Sequence, residues 1–161
     1  MIARNLKLTA RILATAALTI GAVIAEPYQS GEKMKPFTAL DQHDKEFTLR
    51  PADVKFLLVS HDMETGKKAN AKLTARGKAY LGSKSAVFLA NIHGMPGIGR
   101  MFAMRKMRRY AHRIILGDSP ELIAKFPHKD GQVTVLKMKN GTIDAVDYWS
   151  PDKQDLDEVL K

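Results

Sequence analysis

The sequence predicts a single α/β domain with a mixed β-sheet and helices on both faces. Two continuous apolar runs of strand length, residues 54–60 and 86–92, are each followed by a helical pattern, which is typical of buried parallel strands. Later in the chain, two β-rich segments are joined through Asn140-Gly141, a strong signal for an antiparallel hairpin. The chain has 161 residues and no segment that resembles a linker, which indicates one domain.

Residues 1–25 have the pattern of a secretory signal peptide. A basic region precedes an apolar stretch, residues 12–25, whose end carries small residues at the −3 and −1 positions. We therefore predict cleavage between Ala25 and Glu26, a mature domain of residues 26–161 and a periplasmic or secreted location. The alternative is an uncleaved membrane anchor, but the apolar stretch is shorter than the roughly 20 residues that span a bilayer as a helix. We also expect no transmembrane segment in the mature chain.

The composition limits the chemistry that this protein can perform. The chain contains no cysteine, which excludes disulfides, thiolate catalysis and cysteine–metal sites. The net charge is +9, and because the first 25 residues carry three positive charges and no negative one, the mature chain keeps +6. A basic surface favours another protein or an anionic envelope component as partner, and we expect no nucleic acid partner for an exported protein.

The predicted elements follow the order of a hairpin, strands alternating with helices, a second hairpin and a terminal helix. Asp62 can cap the helix that follows the first buried strand, and Gly82 is expected to end it in a left-handed conformation. Ser119-Pro120-Glu121 predicts a helix start, because proline favours the first helical position. The predicted strands lie within residues 37–49 (two strands around a polar turn), 54–60, 86–92, 113–116, 133–138 and 142–148, and the predicted helices within residues 63–81, 98–111, 119–126 and 150–160.

Three segments carry a resemblance to a known superfamily. FTALDQHDKEFTL (37–49) has a phenylalanine and a leucine around a polar turn, VKFLLVSHD (54–62) is a strand that leads into a helix, and HRIILGDSPELIAKFPHKDGQVTVLKMKNGTI (112–143) is a strand, short helix and hairpin. Together they resemble the thioredoxin-like superfamily, closest to its exported TlpA and peroxiredoxin-type branch. The resemblance implies a thioredoxin-like mixed sheet with an N-terminal hairpin extension.

The residues that perform thiol–disulfide exchange in that superfamily are replaced in this chain. The helix start from Asp62 to Lys68 reads DMETGKK where the family places CxxC, and Gln132 stands where the family has its cis-proline. By resemblance, this is a redox-inactive relative. The resemblance implies that this chain shares the fold of the family, but the thiol–disulfide activity of the family does not follow from the fold.

Two histidines follow the two buried parallel strands at the edge where α/β proteins bind ligands. His61, Asp62 and Glu64 follow the first strand, and His93 and Met95 follow the second. Histidine with methionine suits copper, and histidine with glutamate suits zinc, so a copper or zinc site is one hypothesis. The alternative is that Asp62 is a helix cap and that the histidines are solvated or bonded to the backbone.

The helix predicted over residues 98–111 is densely basic and also rich in methionine. One interpretation is a surface that binds an anionic partner, and the other is a solvated helix whose Met and Phe side chains pack on the sheet. We expect the methionines to be core residues. The partner-binding candidates are Arg100, Arg105, Lys106, Arg108, Arg109 and Arg113.

A dinucleotide fingerprint is the weakest of the functional patterns. Gly97 and Gly99 open a helix after a strand, and Asp118 follows about 20 residues later, but Phe102 replaces the third glycine. The leading hypothesis is therefore an exported, redox-inactive binding or adaptor module. The alternatives are a periplasmic metal-handling protein and, third, a small flavin- or nucleotide-dependent oxidoreductase. No cofactor is expected for the leading hypothesis.

Overall fold

The computed structural model describes residues 26–161, so the predicted signal peptide lies outside the described residues. The fold contains seven strands, five α-helices and one short 3₁₀-helix, Pro51–Asp53, within that range. The strands are β1 (Phe37–Leu40), β2 (Glu46–Leu49), β3 (Phe56–Ser60), β4 (Ala86–Asn91), β5 (Ile115–Gly117), β6 (Val133–Lys139) and β7 (Thr142–Trp149). The helices are α1 (Met63–Arg76), α2 (Tyr80–Ser83), α3 (Gly97–Met107), α4 (Pro120–Ile123) and α5 (Leu156–Val159).

The central sheet is mixed, as predicted. Its five strands lie in the order β5-β4-β3-β6-β7, and β1 with β2 forms a separate two-stranded hairpin. Strand β3 is parallel to β4 and antiparallel to β6, while β4 is parallel to β5 and β6 is antiparallel to β7. The carboxyl ends of β3 and β4 therefore lie side by side at one edge of the sheet.

Two cores lie on opposite faces of this sheet because successive side chains of a strand point to opposite faces. Phe56 and Leu58 pack under α1, α2, α3 and α5. Leu57 and Val59 pack on the other face, against the hairpin, α4 and the segment before β1. The prediction of helices on both faces is confirmed, with only one short helix on the hairpin face.

The helix predicted over residues 63–81 is broken into two. Helix α1 ends at Arg76 because Gly77 has a φ of 84° and a ψ of 166°, a conformation that non-glycine residues rarely adopt. A separate short helix, α2, follows, and Gly82 lies inside it. The expectation that Gly82 would end the first helix is therefore wrong.

The last helix starts later than Ser150, where the sequence predicted it. Residues 150–154 form a turn closed by the hydrogen bond from Trp149 Nε1 to the Gln154 carbonyl, at 3.1 Å. Helix α5 is then capped by Asp155, whose carboxylate accepts a hydrogen bond from the Asp157 N–H. Pro151 and Asp152 belong to this turn. The Ser-Pro-Asp sequence was mistaken for a helix start because the same residue types also begin helices.

The two hairpin predictions are confirmed. Asn140 and Gly141 both have positive φ, at 51° and 80°, which is the backbone of the tight turn that an Asn-Gly pair favours.

The helix start predicted at Ser119 is also confirmed. Ser119 caps α4 through a hydrogen bond from the Leu122 N–H, at 3.1 Å. None of the helices in residues 26–161 combines the length and the apolar character needed to cross a bilayer.

Candidate functional site

A groove opens at the carboxyl edge of the sheet, between the start of α1 and the length of α3. It encloses about 380 Å³, a volume suited to binding clefts. It lies where open α/β sheets bind ligands, beyond neighbouring parallel strands. Most of its walls are apolar, with Lys67 and Lys106 on the two flanking helices. The apolar lining side chains include Met63, Ile92, Met95, Phe102, Met107 and Tyr110.

The start of α1 is held by a side-chain pair, Asp62 and Thr65. Asp62 Oδ1 accepts a hydrogen bond from the Thr65 N–H at 2.8 Å, and its Oδ2 accepts one from the Thr65 hydroxyl at 2.7 Å. Burial raises the pKa of Asp62. These hydrogen bonds, together with one from the Glu64 N–H, lower it by more than burial raises it, so the pKa of Asp62 lies below its ordinary value. The Asp62–Thr65 spacing is that of the two cysteines in CxxC.

The side chain of Glu64 turns away from the groove and back along α1. Its carboxylate pairs with Lys68 at 3.0 Å, and Lys68 also contacts Asp152 at 2.8 Å. Both carboxylates of the predicted site are therefore used within or beside their own helix.

His61 is packed towards β6. Its ring stacks on His128 with ring centroids 4.5 Å apart, and its Nε2 lies 3.4 Å from Thr134 Oγ1 on β6. Burial, followed by repulsion from His128, lowers the pKa of His61 to about 4. This role of His128 could not be predicted from the sequence, because the contact joins positions that are far apart in the chain.

His93 is directed towards β5, on the other side of the sheet edge. Its ring Nδ1 lies 3.2 Å from the Asp118 carbonyl, and its backbone N–H donates to Asn91 Oδ1 at 3.0 Å. Met95, the fifth residue of the predicted site, lines the groove. The contacts of His61 and His93 thus point to different flanking strands.

No metal-binding cluster joins these residues. Across residues 26–161, no group of three or more His, Asp or Glu side chains is arranged to hold a metal ion. The strand ends of β3 and β4 meet through a hydrogen bond from Asn91 Nδ2 to the His61 carbonyl, at 2.9 Å. The two imidazoles therefore do not converge as expected. The His61 ring packs against His128 and Thr134, and the His93 ring contacts the Asp118 carbonyl.

Gln132, which the resemblance assigned to the cis-proline position, lies in the turn before β6. Its N–H bonds to the Lys129 carbonyl at 3.1 Å, and the part of the chain that the structure describes contains no cis peptide bond. This position lies on the β6 side of β3, whereas the groove lies on the β4 side. The groove is therefore distinct from the cleft that a cis-proline would border.

Helix α3 presents apolar side chains on two opposite faces. Met107 is buried, and Met104 packs against the same core. Ile98, Met101 and Phe102, at i, i+3 and i+4, have exposed fractions of 74%, 54% and 58%. The expectation that Met and Phe would pack on the sheet is therefore wrong for Met101 and Phe102. We call Ile98, Met101 and Phe102 the α3 patch.

Two arginines of the predicted basic surface are bound to aspartates of this same chain. Arg100 donates two hydrogen bonds to the Asp118 carboxylate, at 2.7 and 2.5 Å, and holds the pKa of Asp118 below its ordinary value. Arg108 donates to Asp44 Oδ2 at 2.6 Å. These pairs tie α3 to the loop after β5 and to the β1–β2 hairpin.

The other candidates differ in how they are paired. Arg113 lies 3.6 Å from the buried carboxylate of Asp41. Arg105, Lys106 and Arg109 are exposed and take part in no salt bridge with residues 26–161. These three, rather than all six, are free to meet an anionic partner.

A buried polar network lies directly under the groove. Asn70, which lines the groove, donates from Nδ2 to the Gly66 carbonyl at 2.8 Å, so its Oδ1 accepts from His112 Nε2, also at 2.8 Å. Gln42 Nε2 donates to the His112 carbonyl at 2.8 Å, and Gln42 Oε1 accepts from the Ile114 N–H. The network fixes the neutral His112 with its proton on Nε2. This network was not predicted from the sequence, although the polar Asn70 next to the apolar Ala69 and Leu73 of the buried helix face was a signal.

The dinucleotide hypothesis gains no support from this geometry. Asp118, which would hold a ribose, is occupied by Arg100. Phe102, at the position of the third glycine, is exposed and does not pack between helix and strand.

Comparisons with known proteins show the fold. No protein-family model matches the chain, and no curated protein matches it. The thioredoxin domain of a thiol-disulfide oxidoreductase from Bacteroides vulgatus is similar with a TM-score of 0.53 and 10% identity, over 83% of this chain and 99% of that chain. A peroxidoxin from Mycobacterium tuberculosis has a TM-score of 0.55 and 12% identity, over 82% of this chain and 94% of that chain.

A third similar structure, a thio-disulfide isomerase from Thermus thermophilus, has a TM-score of 0.51 and 18% identity, over 83% of this chain and 92% of that chain. The protein therefore has a thioredoxin-like fold. It has this fold without cysteine, which separates it chemically from neighbours described as thiol–disulfide enzymes. The exported TlpA and peroxiredoxin-type branch stays a prediction.

Proposed function

We propose that this protein is an exported, redox-inactive thioredoxin-like binding module. Its contact surface is the groove between α1 and α3 together with the α3 patch. The observation that carries the proposal is the exposure of three large apolar side chains on one helix face beside an apolar groove. Apolar surface of this kind is costly to leave in water and commonly marks a binding site.

The position of this surface supports the same conclusion. It lies beyond the carboxyl ends of β3 and β4, where the fold places functional sites. Thiol chemistry is excluded by composition, so a site at this end of the sheet serves binding rather than disulfide exchange. The rigid Asn70–His112–Gln42 network beneath the groove keeps its floor in one conformation, which lowers the entropic cost of binding.

Site-specific photo-crosslinking in the native cell tests this proposal. A photoreactive amino acid replaces Met101 in the full chain, and a matched variant carries it at Lys139, an exposed position beside the Asn140-Gly141 turn at the opposite end of the sheet. We expect one discrete crosslinked protein from position 101 and none from position 139. Adding Phe102→Ser should reduce the crosslink at least tenfold, because a central apolar anchor is worth about 2 kcal/mol.

Equal crosslinking at both positions, or a crosslink that survives Phe102→Ser, would contradict this surface. Leu40→Ser is the control for the loss of an exposed apolar side chain, since Leu40 is 47% exposed and belongs neither to the groove nor to the α3 patch, although it lines a separate cavity with Met104 of α3. It should leave the crosslink unchanged.

A further inference from the structure

The structure also indicates what kind of partner the groove fits, an inference that rests on the proposed binding function. We propose that the partner presents a peptide segment in which one or two bulky apolar side chains are flanked by acidic residues. The apolar side chains fill the groove and cover the α3 patch. The acidic residues meet a basic rim, which consists of Lys67, Arg105, Lys106 and Arg109.

The extent of the apolar surface requires a partner larger than a small molecule. Phe102 lines the groove, but Ile98 and Met101 lie outside it and are 74% and 54% exposed. A ligand confined to the cavity would leave both of these side chains in water. A peptide segment laid along α3 covers them while anchoring one side chain in the cavity, as in helix-in-groove recognition.

The shape of the surface favours a peptide over a lipid bilayer. The groove encloses about 380 Å³ between α1 and α3, a volume that accepts one or two large side chains. A planar membrane surface cannot enter this concavity and would leave it unfilled. An apolar anchor from a peptide fills it and displaces water from its walls.

The charges around the groove determine the sign of the flanking residues. Lys67 and Lys106 line the groove from α1 and α3, and Arg105 continues the row of the α3 patch at i+7 from Ile98. These cations take part in no salt bridge with residues 26–161. Two acidic residues lie near these cations. Glu64 is paired with Lys68, and Asp62, which lines the groove, has both carboxylate oxygens hydrogen-bonded to Thr65. The unpaired positive rim is complementary to acidic residues.

The same charges disfavour a second copy of this chain as the occupant. A symmetric dimer through the α3 patch would bring Arg105, Lys106 and Arg109 of each copy close to the same cations of the other. Juxtaposed like charges cost free energy in an interface. The protein should therefore remain monomeric while it exposes this surface.

An unbiased peptide display selection tests the proposal. Random 16-residue peptides displayed on phage are selected against the full-length protein, and enriched peptides are synthesised and measured by fluorescence anisotropy. We expect enriched peptides to combine Phe, Leu or Trp with two or more Asp or Glu residues. We expect Lys106→Glu to weaken binding at least tenfold, Lys139→Glu to leave it unchanged, and 0.5 M salt to weaken it, since exposed charge pairs are screened.

Four outcomes would overturn the acidic-peptide proposal. Enriched peptides that are neutral or basic but depend on Phe102 would refute the charge assignment and leave the proposed binding surface intact. Binding to phosphatidylglycerol vesicles without peptide enrichment would assign the surface to membranes. A dimer by light scattering that Phe102→Ser dissociates would assign it to self-association. Enriched acidic peptides that ignore both Phe102→Ser and Lys106→Glu would show that binding occurs elsewhere, against both proposals.

Discussion

His61 and His93 show what a single sequence can and cannot locate at the scale of residues. Their positions at the ends of β3 and β4 follow from the two apolar runs. The direction of each ring depends on partners distant in the chain, Thr134 and His128 for His61 and the Asp118 carbonyl for His93. No local pattern encodes those contacts, so the site could be placed at the sheet edge but its members could not be paired.

The capping role of Asp62 is testable because its side chain makes two hydrogen bonds to Thr65. We expect Asp62→Ala to lower the free energy of unfolding by about 1 kcal/mol, the usual cost of losing an N-cap. Asp62→Ser, which restores an acceptor, should recover most of that loss. Urea denaturation followed by circular dichroism measures both.

Glu64→Ala is the comparison for this variant. Glu64 lies two residues on and makes an exposed salt bridge to Lys68, so its loss should have little effect on stability. If Asp62→Ala is no more destabilising than Glu64→Ala, the capping pair contributes nothing measurable.

At the scale of elements, the strands and hairpins could be predicted better than the helices. Strands β3 and β4 are continuous apolar runs, and Asn140-Gly141 encodes its own turn. Helix ends were less certain, because both Gly77 and Gly82 are suitable stops and the apolar pattern continues past the first of them. The break after Arg76 lets Leu81 enter the core from the separate helix α2, which a local pattern does not reveal.

The two glycines give opposite predictions. Gly77→Ala should destabilise the fold by about 1–3 kcal/mol, since its φ of 84° with a ψ of 166° is strained for alanine. Gly82→Ala should stabilise it by up to about 1 kcal/mol, because the position is helical and alanine is the better helix former. An added methyl meets no atom within 4 Å at either site, so packing does not confuse the comparison.

Thermal and urea unfolding of the two variants measure the difference. Equal effects of the two substitutions, in either direction, would contradict the assignment of the helix break to Gly77.

Helix α3 shows a different limit of prediction. Its sequence places apolar residues on two faces, Met104 and Met107 on one and the α3 patch on the other. Either face could pack on the sheet by pattern alone. In the structure Met104 and Met107 pack on the core, and in this orientation Arg100 and Arg108 pair with Asp118 and Asp44.

At the scale of the whole molecule, the two buried or half-buried histidines His61 and His112 link stability to pH. Burial lowers the pKa of both, with His61 near 4. The unfolded chain therefore binds protons that the folded chain does not as pH falls below about 6.5. Stability should be lost from about pH 6.5 downward, with a slope of up to about 1.4 kcal/mol per pH unit for each proton.

Urea denaturation at pH 7.5, 6.5, 5.5 and 4.5 measures this slope. His61→Gln should flatten it between pH 6.5 and 4.5, while His43→Gln, at an exposed turn position, should not. A wild-type profile that is flat over this range would contradict the buried, neutral state of both rings.

The overall architecture could be predicted because its determinants are short and repeated along the chain. Apolar runs, glycine and proline at turns, and an acidic or hydroxyl residue at helix starts recur in the order of a thioredoxin-like fold. The two cores lie on opposite faces of the sheet because successive side chains of strands such as β3 point to alternate faces. Function could not be inferred in the same way, since the apolar surface arises from the orientation of one helix.

Exposed methionine side chains make this cysteine-free protein sensitive to oxidants. Met63, which lines the groove, and Met101, in the α3 patch, are 43% and 54% exposed. Peroxide converts a thioether to a sulfoxide, which is polar and is restored by methionine sulfoxide reductases. The methionine sulfur atoms thus place an oxidisable group at the proposed contact surface. In this chain the oxidised atom would weaken association with a partner instead of exchanging a disulfide with it.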